Sequence, residues 1–174
     1  MTTSQFSHST ISLIGMPGAG KSTVGVLLAK LTGLGFTDTD VSIQVRERAT
    51  LEEIIARDGH LQLRAIEEEV LLAEPLDQRV IATGGSVVYS EAAMQRLREA
   101  GPVVYLQADL GTLEQRIASA PARGIARPAG QSFEQVFAER TPLYDRHADE
   151  VVRATRATAD AVAAEIVRRL HDRA

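Results

Sequence analysis

The sequence predicts an α/β protein built on a parallel sheet, and three observations carry that expectation. Short apolar runs of strand length alternate with stretches of helical periodicity. The first of these runs leads into a glycine-rich turn that opens a helix. The chain has 174 residues, a length that suits one core and one domain. Aromatic residues make up 4% and tryptophan is absent, so that core must be assembled from Leu, Val, Ile and Ala.

Taken in order, Thr10, Ile11, Ser12, Leu13 and Ile14 form a short buried strand, followed by Gly15-Met16-Pro17-Gly18-Ala19-Gly20. A helix is expected from Lys21, with Val24, Leu27, Leu28 and Leu31 recurring on one face and Gly33 and Gly35 closing it before a brief strand at Phe36 and Thr37. A further helix should begin at Val41. Within 51–73 the helical spacing breaks at Asp58-Gly59, which predicts two helices, together too long for a simple crossover. They read as an insertion, about 41–74, over the strand ends where α/β proteins bind ligands. Strands are expected at 80–83, 103–106 and near 150–152, giving a core of about 8–40 and 75–174. Residues 120–132 carry two prolines and two glycines without apolar periodicity and have the length of a lid. Ala161, Val162, Ile166, Val167 and Leu170 share one face of a last, packing helix.

Composition excludes several function classes. The net charge is −4, with no overall basic face to suit nucleic acid or an anionic membrane. No run approaches the roughly 20 apolar residues of a bilayer span, and the start MTTSQFSHST lacks the pattern of a leader, so a cytoplasmic protein is expected. Absence of cysteine rules out disulfides, thiolate zinc sites and thiol nucleophiles, and four scattered histidines suggest no metal cage. Of the 19 basic residues only Lys21 and Lys30 are lysines, so a function needing one lysine has little choice.

Gly15, Gly20, Lys21 and Ser22 match G-x-x-x-x-G-K-[ST] between a strand and a helix, the context in which that pattern binds phosphate. Glycine lets the backbone close around phosphate with its N–H groups inward, and Gly18, Ala19 and Thr23 complete the loop. The helix N-terminus adds partial positive charge, Lys21 reaches the β and γ phosphates of ATP, and Ser22 offers a hydroxyl to Mg²⁺. Asp38 and Asp40 follow the second strand. Alternation along a strand would turn Asp38 toward the metal and Asp40 toward a second substrate, whose hydroxyl proton a carboxylate can accept. Alternatively, either one serves only to cap the next helix.

Together these motifs resemble the shikimate kinases, small phosphate-loop kinases. The resemblance extends through Asp58-Gly59, Leu63-Arg64-Ala65-Ile66-Glu67-Glu68, Ala82-Thr83-Gly84-Gly85-Ser86 and Glu139-Arg140-Thr141-Pro142-Leu143-Tyr144, nearly the whole chain. It implies a three-layer fold with a five-stranded parallel sheet of order 2-3-1-4-5, a helical substrate-binding insertion and a lid. It also implies transfer of phosphate from ATP, with Mg²⁺, to shikimate by a monomer. Arg64 and Arg140 would clamp the acid's carboxylate, and Gly84 and Gly85 would bring bare backbone to the substrate. Arg127, before Pro128, would meet the transferring phosphoryl group, with Arg123 on the adenine, and Arg156 would join the nucleotide site. On the helix of Arg64, the run Glu67-Glu68-Glu69 also fits a plain surface salt bridge.

The chain departs from the family pattern at Ser86, where a third glycine is usual, at Ile55 and Leu63 in place of aromatics, and in the lid's Arg-Pro-Ala-Gly. Near Arg156 the usual proline is missing. A kinase for another small hydroxylated acid or polyol, and a ligand sensor that keeps the fold without turnover, are the alternative readings.

Overall fold

Strand β1 (Thr10–Ile14) is buried along its whole length, and the sheet is arranged around it. The computed structural model describes residues 9–121 and 124–172. After β1 come α1 (Lys21–Thr32), β2 (Gly35–Asp38), α2 (Thr39–Glu47), α3 (Leu51–Asp58), α4 (His60–Ala73) and β3 (Arg79–Ala82). A 3-10 turn (Val87–Tyr89) leads to α5 (Glu91–Ala100), β4 (Val103–Gln107), α6 (Leu110–Ser119), α7 (Phe133–His147), β5 (Glu150–Arg153) and α8 (Ala159–His171). The five strands form one parallel sheet in the order β2-β3-β1-β4-β5, with Leu13 of β1 in register between Ala82 and Val104. Because the strand order reverses about β1, a crevice opens beyond its carboxyl end, between the loops that follow β1 and β3.

Helices pack around the sheet, α1 and α8 against each other, α5 on β1 and α7 on β4. The main core is aliphatic, as composition requires, with Tyr105 and Tyr144 stacked at 5.1 Å between ring centroids. Helices α2 to α4 enclose a second, smaller core of Ile43, Ile54, Leu63, Ile66 and Val70, to which Ala126 from the segment before α7 contributes its methyl group. Gly59, at φ 85°, ends α3 and opens α4, which accounts for the break in periodicity at that point. Among the described residues no helix is long and apolar enough to cross a membrane.

One helix start differs from expectation. Helix α2 begins at Thr39, not Val41, because the Asp38 side chain accepts from Asp40 N (3.0 Å) and caps it two residues earlier. Asp40 therefore sits on the first helical turn, and strand alternation does not set its direction.

Close packing of α1 on the sheet depends on Gly25. A β-carbon there would meet the Phe36 ring at 2.5 Å and Leu13 Cδ1 at 3.5 Å. Gly25→Val should lower stability by about 1 to 3 kcal/mol through overpacking, read as a lower urea midpoint with an unchanged slope.

Candidate active site

The turn after β1 is held by backbone constraint. Gly18 and Gly20 have φ of 85° and 96°, a region that favours glycine, and a side chain on Gly15 would press on Leu106 O of β4 at 2.8 Å. Helix α1 starts at Lys21 with no side-chain cap and no acidic residue in its first turn, which leaves its N-terminal amides available to an anion. Lys21 Nζ donates to the carbonyls of Gly15 (2.7 Å) and Met16 (2.9 Å), and burial lowers its pKa to about 8 against the pull of Asp40, Asp38 and Glu67.

Ser22 Oγ donates to Asp38 Oδ2 at 2.5 Å, and the other oxygen of Asp38 accepts from Asp40 N. A hydroxyl beside a carboxylate is a hard-oxygen pair that suits Mg²⁺, an ion that commonly takes one or two protein oxygens and completes its shell from phosphates and water. Among the described residues no group of three or more His, Cys, Asp or Glu forms a metal cage.

The crevice beside this loop has a volume of about 250 Å³. Gly18, Gly20, Lys21, Ser22 and Thr23 line one end, and Asp40, Glu67, Gly84, Gly85 and Arg140 the other. Neither Gly84 nor Gly85 has positive φ; close approach is what requires glycine here. A methyl on Gly84 would overlap Glu67 Oε1 and come within 3.0 Å of Asp40 Oδ1, and one on Gly85 would lie 2.9 Å from Pro17 and 3.0 Å from Arg140 Nη1. Gly84 N donates to Thr39 Oγ1 (3.0 Å), and the Tyr144 hydroxyl donates to Gly85 O (2.5 Å).

Two guanidiniums converge on one neutral oxygen. Arg140, 1% exposed, donates to Ala126 O at 2.6 Å, and Arg64 donates to the same carbonyl at 3.3 Å. The Arg64 guanidinium lies 3.9 Å above the Tyr89 ring, whose hydroxyl bonds Glu139. The Nε atoms of both arginines are buried without a hydrogen-bond partner. Such donors are suited to a carboxylate, which accepts more strongly and bidentately.

Of the residues expected at the site, Gly18, Gly20, Lys21, Ser22, Thr23, Asp40, Gly84, Gly85 and Arg140 share the crevice. Gly15 and Ala19 are buried in the loop behind it, Asp38 is reached through Ser22, and Arg64 lines a neighbouring cavity. Arg127 and Arg156 are not brought to the crevice wall. Arg156, with φ of 55°, is exposed on the loop after β5 within the field of Asp109, while Arg127 is the residue after the held carbonyl of Ala126. Arg123 lies outside the described residues.

Two residues at the site have roles not assigned from the sequence: Arg116, unnamed there, and Glu67, read there as part of a surface salt bridge and found buried. Arg116, in the last turn of α6, donates to Gly18 O and Ala19 O (both 3.3 Å) and to Ala154 O (2.8 Å), fastening the phosphate loop to the end of β5. A basic residue in a last helical turn is ordinary, so the sequence carries no signal for this role. Glu67 is buried, accepts from Ser86 Oγ, and is pushed up to about pKa 7 by desolvation and by Asp40. It had a signal: with Leu63 four residues before it and Val70 three after, it lies on the apolar stripe of α4.

The shift of Lys21 gives a direct check. Its ¹³Cε resonance should titrate near pH 8 in the unliganded protein, where an ordinary lysine titrates near 10.4, and should move upward when a phosphate anion binds. With its pKa lower folded than unfolded, Lys21 makes stability rise with pH between about 8 and 10.5, a slope that Lys21→Met should remove.

The chain is similar to known proteins over most of its length. The shikimate kinase family model matches residues 17–171. Shikimate kinase 2 of Enterobacter sp. (strain 638) is 37% identical over 162 residues, covering 90% of this chain and 92% of its own. The shikimate kinase of Mycobacterium avium (strain 104) is 40% identical over 162 residues, 91% of each chain. Among solved structures, shikimate kinase from Acinetobacter baumannii in complex with shikimate superposes with a TM-score of 0.84 at 30% identity, covering 97% of this chain and 96% of that one. A phosphate loop, a carboxylate at the first turn of α2, and two convergent arginines therefore occur in a chain that belongs to the shikimate kinase family.

Proposed function

We propose that this protein transfers the γ-phosphoryl group of ATP, with Mg²⁺, to a hydroxyl of shikimate, giving shikimate 3-phosphate and ADP. The supporting observation is the shared crevice, with the phosphate loop at one end and Asp40, Gly84, Gly85 and Arg140 at the other, in a chain whose relatives are named shikimate kinases. Every residue assigned below belongs to one chain, so a monomer suffices.

The triphosphate is assigned to the amides of Gly18 to Thr23, with Gly15 and Ala19 shaping the turn and Arg116 holding it against β5. Lys21 exchanges its two loop carbonyls for phosphate oxygens, and the phosphate charge keeps it protonated. Ser22 and Asp38 are the residues to hold Mg²⁺. When bound, that ion neutralises charge on the β and γ phosphates.

At the other end the shikimate carboxylate is assigned to Arg64 and Arg140, in exchange for the carbonyl of Ala126. Asp40 accepts a hydrogen bond from the reacting hydroxyl. As that oxygen bonds to the γ phosphorus, the bond to the β–γ bridging oxygen breaks, and the hydroxyl proton passes to Asp40 late in the step. Gly84 and Gly85 keep side chains out of the reacting space.

The decisive test is ADP formation by the purified protein with MgATP, with and without shikimate, and mass spectrometry of the acceptor. Saturable shikimate-dependent ADP release with a product heavier by one phosphoryl group is the expected result; release independent of shikimate would overturn the assignment. Asp40→Asn should lower kcat by about 10² to 10⁴ while the ATP dissociation constant changes little. Arg140→Lys should raise KM for shikimate about 10- to 100-fold, since a point charge replaces a fixed fork.

A further inference from the structure

The acceptor end of the crevice contains a buried hydrogen bond that the transfer step does not use. Ser86, 6% exposed, donates its hydroxyl to Glu67 Oε2, itself on a residue 4% exposed. These two side chains form part of the wall between the crevice and a second cavity of about 280 Å³, bounded by Arg64 and Glu68 of α4 and by Tyr89 and Ser90. The other oxygen of Glu67 lies over Gly84, at the point that Asp40 Oδ1 also approaches. Both cavities border the Glu67 carboxylate, and the Ser86 hydroxyl fixes one of its two oxygens.

We propose that Ser86 is a positioning residue for the acceptor: its hydroxyl holds Glu67 inward as a carboxylate, so that Oε1 accepts a hydrogen bond from a hydroxyl of the bound acid. This rests on the assignment of that end of the crevice to a small hydroxylated acid. A serine hydroxyl has one hydrogen to donate, and giving it to Oε2 favours the ionised carboxyl over the neutral one. The surroundings are finely opposed. Burial and Asp40 of α2 favour the neutral form; Ser86, Arg140 of α7 and Lys21 of α1 favour the charged form, while the Tyr144 hydroxyl of α7 lies close by and Arg64 and Glu68 share α4. These opposed influences raise the Glu67 pKa to about 7, so loss of the Ser86 hydrogen bond shifts it further toward the neutral carboxyl, a weaker acceptor.

The sign of the pH effect follows. Removing the Ser86 donor raises the Glu67 pKa, so the acidic limb of kcat/KM for shikimate at saturating MgATP moves to higher pH. Ser86→Ala should raise KM for shikimate about 5- to 20-fold at pH 7, with kcat and KM for ATP within about twofold. At pH 9, where Glu67 is ionised in both proteins, the difference should shrink to about twofold. In a Glu67→Gln background, Ser86→Ala should change KM by less than about twofold, because the partner it acts through is gone. A loss of equal size at every pH, or an equal loss in the Glu67→Gln background, would overturn the proposal. The ¹³Cδ titration of Glu67 in the unliganded protein provides a readout independent of turnover. Its midpoint should move upward in Ser86→Ala, and an unchanged midpoint overturns the positioning role. A shifted midpoint in a protein without shikimate-dependent turnover would overturn the acceptor assignment instead.

Discussion

The site is organised by the two oxygens of Asp38. One takes the Ser22 hydroxyl from the first turn of α1, and the other caps α2 through Asp40 N. A single carboxylate thus joins the helix that follows the phosphate loop to the helix that carries Asp40, across the end of β2. Charge-assisted bonds of this kind contribute about 1.5 to 3 kcal/mol each, and the cap about 1. Their positional effect matters more here: Asp40 is set relative to the phosphate loop by two short bonds and one residue of backbone.

Around that junction the crevice concentrates ionisable groups where solvent is scarce. Lys21, Glu67 and Arg140 are all buried within one another's field, and Asp40 acts on Lys21 and Glu67. Lys21 is pushed down and Glu67 up, the directions desolvation dictates for a cation and an anion, and each is partly restored by its neighbours. A neutral or apolar lining would be less costly to fold. Retaining opposed charges in a small volume instead supplies fixed dipoles to a reaction whose charge shifts from one oxygen to another.

Local chemistry was legible in the sequence, and long-range chemistry was not. The phosphate loop reads directly because its strand, glycines, lysine and helix are contiguous, and the strands read because parallel, doubly covered strands are continuously apolar. The start of α2 was misplaced by two residues because Asp38 was considered as a ligand or a cap, and it serves Ser22 and the cap together. For Gly84 and Gly85 the family resemblance implies bare backbone toward a substrate; what crowds them in the structure, Glu67 and Pro17, comes from distant segments that no local pattern reports. Arg116 acts on residues 97 and 98 positions earlier, and no local pattern reports that. Arg156 is exposed on the loop after β5 with a left-handed backbone that composition does not reveal.

The carbonyl of Ala126 has a consequence for selectivity. With Arg64 and Arg140 both donating to it, the guanidinium pair is already satisfied in part, and the Ala126 methyl belongs to the small core of α2 to α4. That oxygen occupies one N–H of each guanidinium and leaves the buried Nε donors of both without a partner. A carboxylate, charged and bidentate, gains from the exchange. An uncharged polyol of the same shape pairs with fewer of these donors and carries no charge to match theirs, so the arginine pair discriminates by charge without any steric barrier.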